Sequence, residues 1–199
     1  LSAGDNSITL KHYDQAGNVG VQTGTIKVNT AVTYTGVTGL GPVTAGADLL
    51  VSAYDKTGKL LSTADVTAAT GSYSLTIDST YTGPLLLRLS SKTASGTADY
   101  IDEATNQAKD LGAYTISAVV NATGVGQTVN ITTVTDLAAK LLTTSDGMIS
   151  SDLVSDVNAA AKVTQVNTLV TKQFIDSTSN TVITAIDPQF TVGNTAGGA

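Results

Sequence analysis

Acidic side chains are the main chemical resource of this sequence. The chain has 16 Asp and Glu against 10 Lys and Arg, a net charge of −6, and Glu103 is its single glutamate. Aspartate oxygens are good ligands for Ca²⁺, and aspartate also favours turns because its carboxylate hydrogen-bonds to nearby backbone N–H groups. Clusters of these residues therefore predict either calcium sites or tight turns.

Two clusters of oxygen-bearing side chains are candidate calcium sites. The first lies around a "DQAGN" turn and the second within "DYIDEATN". Neither has the spacing of an EF-hand loop or of a nonapeptide calcium repeat. Turn formation therefore stays open as the alternative for both. The candidate ligands are Asp5, Asp14 and Asn18 in the first cluster, and Asp99, Asp102 and Glu103 in the second.

The common catalytic residue sets are absent. The sequence has no cysteine and one histidine, which excludes a thiol nucleophile, a disulfide framework and a multi-histidine metal site. His12 lies between Lys11 and Tyr13 in an alternating segment, where we expect it to face solvent. There is no Gly-x-Ser-x-Gly elbow, phosphate-loop signature or His-Glu-x-x-His motif. We predict that the chain is not an enzyme.

The composition also limits the partners. Ten scattered cations argue against binding to nucleic acid or anionic lipid, and no apolar stretch is long enough for a transmembrane helix. Charged residues make up only 13% of the chain, whereas threonine occurs 34 times, which is typical of a β-rich surface. No signal peptide is visible and the chain does not begin with Met, so we expect a piece of a longer protein.

Residues 1–30 predict a β-hairpin. Apolar and polar residues alternate in Ile8–Tyr13 and again after the turn at Asp14–Asn18. The run "GDNSITLKHYDQAGNVGVQTGTIKVNT" resembles the last two strands of a bacterial Ig-like repeat, in which a "DxAGN" turn joins these strands. The resemblance implies either the end of a preceding repeat or half of a split sandwich completed by later strands.

Residues 31–131 predict about seven strands. Short alternating runs are separated by Gly- or Pro-containing turns, and no helical pattern interrupts them, which favours a sandwich. The predicted strands include residues 32–34, 49–54, 73–77, 85–89, 114–120 and 127–131.

The order of these segments provides a second resemblance. The run "ADLLVSAYDKTGKLLSTADVTAATGSYSLTID" followed by "YTGPLLLRL" resembles the carboxypeptidase-regulatory or transthyretin-like sandwich module. It implies a fold but almost nothing about function. Related surface modules form Lys–Asn crosslinks, but Ala31–Leu40 contains no lysine and we expect Glu103 to lie in a loop. We therefore predict no crosslink.

Residues 132–190 predict a helical segment with a closing strand. Thr133 or Thr135 could cap a helix at 137–142, and a second helix is predicted from Ser150 or Ser151 to Phe174. Its apolar stripe would lie on a sheet. The pattern is similar to the segment that follows the transthyretin-like unit in large bacterial adhesins and surface lipoproteins. Residues 181–186 predict the closing strand, and residues 191–199 a linker. The stripe comprises Leu153, Val157, Ala160, Val163, Val166, Val170 and Phe174.

The resulting hypothesis is a mainly β, Ig-like or transthyretin-like Greek-key sandwich with one or two C-terminal helices packed on it. The resemblances imply a noncatalytic extracellular module of a large RTX-type or Bap-like bacterial surface adhesin, which acts as a spacer in adhesion and biofilm formation. Its partners would be neighbouring domains, and calcium could stiffen their junctions. The alternative is a domain that binds a glycan, a peptide or another surface. Candidate presenting tyrosines are Tyr13, Tyr34, Tyr81, Tyr100 and Tyr114.

Overall fold

The fold is mainly β with helices near the C-terminal end, which confirms the predicted class. A computed structural model describes residues 4–28, 30–68, 70–93 and 96–174. The strands are β1 (Gly4–Tyr13), β2 (Val19–Val28), β3 (Ala31–Gly39), β4 (Leu49–Tyr54), β5 (Leu60–Asp65), β6 (Ser72–Asp78), β7 (Thr82–Ser91), β8 (Tyr100–Asp102), β9 (Gln107–Lys109), β10 (Thr115–Thr123), β11 (Gln127–Thr128) and β12 (Ile131–Thr132). The helices are α1 (Thr133–Lys140), α2 (Ser151–Val154) and α3 (Ala159–Lys172).

Two sheets form the sandwich. The first is antiparallel in the order β10-β7-β4-β5, and in the second β3 pairs antiparallel with β6. Strands β11 and β12 pair parallel with β3 at the same residue offset, so they behave as one interrupted strand. The spacing of turns in the sequence does not predict this parallel pairing, because β11 and β3 are distant in the sequence and meet only in the folded chain.

Strand β7 is buried on both faces. Leu85, Leu87 and Leu89 pack between the sheets, whereas Leu86 points to the outer face, where Val119 of β10 and the helices cover it. All four leucines are fully buried. A strand covered on both faces is expected to be continuously apolar, which explains the run "PLLLRL".

Helix α1 begins earlier than predicted. Its N-cap is Thr132, not Thr133 or Thr135. The Thr132 hydroxyl accepts a hydrogen bond from the Thr135 backbone N–H at 3.2 Å, and the Thr135 hydroxyl accepts one from the Thr132 N–H at 2.8 Å. This reciprocal pair satisfies two backbone donors at the start of the helix. The predicted packing of helix on sheet is confirmed by α1 and α3, which lie on β10.

The single helix predicted from Ser150 or Ser151 to Phe174 is wrong. Between α2 and α3 the chain turns at Ser155–Asn158, where the Asp156 carboxylate accepts the Asn158 N–H at 2.7 Å and pairs with Lys162. The turn changes the helical register, so Val157 is 96% exposed and Ala160 is exposed too. The predicted stripe residues Leu153, Val163 and Val170 are buried. No helix in the described part of the chain is long and apolar enough to span a membrane.

The predicted N-terminal hairpin is confirmed. Strands β1 and β2 pair along all ten residues of each strand, and in the described ranges they pair with no other strand. None of the hairpin side chains that the structure describes is buried. Whether a later segment completes a split sandwich stays a prediction, because the predicted strand 181–186 and linker 191–199 lie outside the described residues.

Removing the hairpin should leave the sandwich folded. Deletion of residues 1–28 keeps the hydrogen bond between the Ser79 N–H and the Thr30 carbonyl, and it removes no buried side chain. We expect the thermal midpoint to change by less than about 2 °C, which corresponds to under about 1 kcal/mol for a domain of this size. Circular dichroism melting of the full and shortened chains measures this. A shortened chain that unfolds would show that the hairpin completes the sandwich.

Candidate functional site

Many of the described aspartates form turns in this fold. Six of them accept a hydrogen bond from the backbone N–H two residues later, as Asp55 does from Thr57 at 2.8 Å. The short side chain of aspartate places its carboxylate next to the backbone N–H groups of its own turn. This explains why aspartate is so much commoner than glutamate here. The six are Asp14, Asp55, Asp78, Asp102, Asp110 and Asp156.

The structure separates the residues of the first candidate calcium cluster. Asp14 Oδ1 accepts the N–H groups of Ala16 and Asn18, and Asp14 Oδ2 accepts Asn18 Nδ2 at 2.7 Å. The side-chain and backbone donors of Asn18 lower the pKa of Asp14. Asp5 lies near the other end of β1, nine residues away, or about 30 Å in an extended strand. Asp14 and Asn18 are therefore together, and Asp5 is not with them.

The second candidate cluster is also divided. Asp99 is fully buried, and its two oxygens accept the backbone N–H groups of Asp48 (3.2 Å) and Leu111 (3.0 Å). Burial raises the pKa of Asp99. A carboxylate enclosed in this way ties three chain segments together and is not presented to solvent.

Asp102 and Glu103 lie in the short β8–β9 hairpin, where Glu103 is in the connecting turn, as the predicted loop position requires. Asp102 ends β8, and its carboxylate accepts the N–H of Ala104 and the hydroxyl of Thr105, which lowers its pKa. Burial, and then the nearby Asp102 charge, raise the pKa of Glu103. No group of three acidic or histidine side chains in the described ranges is arranged to hold a metal ion.

His12 and the tyrosines occupy different environments. The His12 ring lies over Gly20 on the opposite strand, where a Cβ would come within 1.8 Å of Cε1. Tyr13 and Tyr114 are 67% and 81% exposed, as a presenting residue requires. Tyr34 is instead fully buried in the core, so the expectation that it could be presented is wrong.

A polar cleft of about 420 Å³ lies beside α1. Asp136, which is 13% exposed, forms its centre: Oδ1 accepts the Ser117 N–H at 2.9 Å, and Oδ2 pairs with Lys140 Nζ at 2.7 Å. The first turn of α1 and the start of β10 position these groups. The wall opposite is the turn at residues 143–147, where the Thr144 hydroxyl donates to Asp146 and lowers its pKa.

Arg88 fixes this turn to the sheet. It is the single arginine of the chain, and its Nη2 donates to the Gly147 carbonyl at 2.5 Å, while its guanidinium lies 5.3 Å from the centre of the Tyr54 ring. Both the hydrogen bond and the cation–π contact need the same orientation of the side chain. Arg88 therefore holds the turn at residues 143–147, which forms one wall of the cleft, against the sheet.

The cleft lining offers hydrogen-bonding groups to a polar ligand. Its lining has hydroxyl groups from Thr115, Ser117 and Ser145 together with carboxylates and one lysine, and the single imidazole of the chain lies on the hairpin. Sequence analysis missed this site. Asp136 was recognisable only as a first-turn acid, because nothing local indicates that it accepts the N–H of a residue nineteen positions earlier.

No known protein family, curated protein or solved structure matches this chain. The geometry of its own residues is therefore the basis for assigning a function.

Asp48 and Asp99 should change stability with pH in opposite directions. Hydroxyl donors on Ser91 and Thr93 lower the pKa of Asp48, so its contribution is present above an unfolded pKa of about 3.9 and is lost as pH falls through the folded value. The raised pKa of Asp99 means that its contribution is complete below about pH 3.9 and is lost as pH rises through the folded value.

Urea unfolding between about pH 3 and pH 7 tests these signs. Asp48→Asn should be less stable than the wild type at pH 7, and the difference should shrink below about pH 4. Asp99→Asn loses an acceptor, but its stability relative to the wild type should improve as pH rises. Parallel pH profiles for the two variants would contradict the assignment.

Calcium binding stays a prediction with a direct test. Thermal unfolding is measured in excess EDTA and then in millimolar calcium. A site at a hundredfold excess over its dissociation constant adds about 2.7 kcal/mol, equivalent to a rise of roughly 5–10 °C in the midpoint. Asp14→Asn and Asp102→Asn should each abolish the rise at their own cluster. An unchanged midpoint would show that these acids serve only their turns.

Proposed function

We propose that this chain is a noncatalytic, extracellular spacer module of a large bacterial cell-surface adhesin, acting in adhesion and biofilm formation. The carrying observation is that, among the described residues, the chain enters the sandwich at one end of β3 and α3 is followed by Phe174 near the other end. A module with its two connections at opposite ends of one strand would add most of that strand's length to a tandem array.

The two ends are defined by β3. The hairpin joins β3 at Ala31, next to Asp78 of β6, whereas β12 and the start of α1 lie beside Gly39. Phe174, just after α3, packs near Val134 in the first turn of α1. The entry at Ala31 and the end of β3 at Gly39, on the side where the described chain ends, are about 26 Å apart, the length of eight strand residues.

The chemistry of the module supports the same proposal. The core between the sheets is closed without a disulfide, since the sequence has no cysteine, and the turns are held by aspartate and threonine hydrogen bonds. Such a module folds without oxidation or a bound cofactor. Its partners would be the neighbouring domains of a long chain.

Recognition of a glycan or peptide is the second candidate function. It is favoured by the cleft around Asp136, whose hydroxyl, carboxylate and ammonium groups can hydrogen-bond to a polyhydroxylated ligand. Tyr114, the exposed residue directly before the cleft residue Thr115, offers an aromatic surface. The same module could then carry a surface ligand site.

Surface display tests the spacer function. One, two or three copies of the chain are inserted between a cell-wall anchor and a peptide tag, and capture of antibody-coated beads is measured. We expect capture to increase with copy number and to exceed that of a Gly/Ser linker with the same number of residues, since a flexible chain extends only as the square root of its length.

Display without the tag is the control. Cells carrying only the module should not capture beads coated with glycans or peptides. Capture that disappears in Asp136→Ala, and persists in Lys56→Ala outside the cleft, would favour ligand binding over the spacer function. Equal reach for the module and the Gly/Ser linker would contradict the proposal.

A further inference from the structure

The outer edge of β1 has no strand partner among the described residues. This edge is ten residues long and contains no proline. A lone hairpin is only marginally stable in water, and sheets with open edges tend to pair with a further strand. The other edge, on β2, is less suited to pairing because Gly20 and Gly24 interrupt it. The β1 edge is therefore the better template.

The side chains of β1 are complementary to themselves. In an antiparallel pair of β1 strands with Ile8 opposite Ile8, Asp5 of each copy lies opposite Lys11 of the other. Opposite charges across such a pair are stabilising, with Cβ atoms about 5 Å apart. Asp5 and Lys11 are both exposed. Asp5 also has Lys27 of β2 opposite it within the hairpin, so in the proposed pair it lies between two lysine positions.

Only this register brings the charges together. Moving the centre of pairing to Ser7 places Asp5 opposite Thr9, and moving it to Thr9 places Asp5 opposite Tyr13. The Ile8-centred register also keeps Ile8 and Leu10 of both copies on one face, which continues onto Ile26 of β2. Leu10 and Ile26 are 64% and 42% exposed, so the pairing joins these apolar side chains of both copies on one face.

We propose that β1 is a homotypic docking edge, through which two copies of this chain join in an antiparallel β1–β1 pair centred on Ile8. The product is a four-stranded sheet, which supplies the additional strands that a hairpin needs. A second copy is the occupant that the charges specify, because the pattern of β1 is complementary to itself. This inference stands on the hairpin and does not depend on the spacer function.

Charge variants of the full chain test the pairing. Size-exclusion chromatography with light scattering is run from about 10 μM to about 1 mM, the range where a weak dimer becomes populated. We expect a dimer whose dissociation constant rises at least about tenfold in Lys11→Asp and in Asp5→Lys, because each variant places like charges opposite each other twice. An equimolar mixture of the two variants should dimerise, because both opposed pairs are then Lys–Asp. Asp152→Lys in α2 is the control and should dimerise like the wild type.

A cysteine crosslink tests the register independently, since the chain has no cysteine of its own. Ile8 lies opposite itself on the symmetry axis, so Ile8→Cys should form a disulfide between copies under mild oxidation. Thr23→Cys, an exposed position on β2, should not. This result does not depend on whether Asp5→Lys disturbs the cross-strand neighbour Lys27.

Three outcomes would overturn the proposal. A wild-type chain that stays monomeric to about 1 mM would leave the β1 edge to a strand from a neighbouring module. A dimer unaffected by either charge variant would place the interface elsewhere. Equal crosslinking at positions 8 and 23 would exclude the Ile8-centred register.

Discussion

Burial of strand β7 on both faces is the constraint on which the rest of the fold depends. Leu85, Leu87 and Leu89 hold the two sheets together, and Leu86 holds the helices, so a single strand connects both hydrophobic clusters. Removing Leu87 would open a cavity in a close-packed core, which typically costs about 2–5 kcal/mol. The polar cleft depends on the same strand. Arg88, the next residue, reaches the opposite layer and fixes the turn that forms the cleft wall.

The hairpin differs from the sandwich because backbone hydrogen bonds, and not hydrophobic burial, hold it together. Its strands have the full set of backbone hydrogen bonds between them, but its described side chains bury almost nothing, so the hydrophobic term that stabilises β7 is missing. The His12 ring occupies the space where Gly20, its cross-strand partner, has no side chain. A ten-residue hairpin with exposed Leu10 and Ile26 gains most by adding strands at its edge, whether they come from a second copy or from a neighbouring module.

Local patterns predicted the strands well and the tertiary relations poorly. The sequence pattern predicted β4 at its observed bounds, because alternation and flanking turns are local signals. It did not predict the parallel pairing of β11 with β3, the burial of Asp99 or the contact between Asp136 and Ser117. Each of these depends on contacts between residues that are distant in sequence. The helix break at Ser155–Asn158 was missed for a different reason: Val157 and Ala160 continue the three- and four-residue apolar spacing from Leu153 to Val163, so α2 and α3 together resemble one longer helix.

The preference for aspartate over glutamate links the composition to the fold. Asp14 and Asp55 each use one oxygen to accept N–H groups from residues two and four positions later, so one carboxylate closes one hairpin turn. Glutamate has one more methylene and loses this geometry. A turn closed in this way is held by hydrogen bonds within its own segment. Part of the negative charge of the chain is thus a by-product of turn formation, whereas Asp5 and Lys11 lie outside the turns, on the edge strand β1.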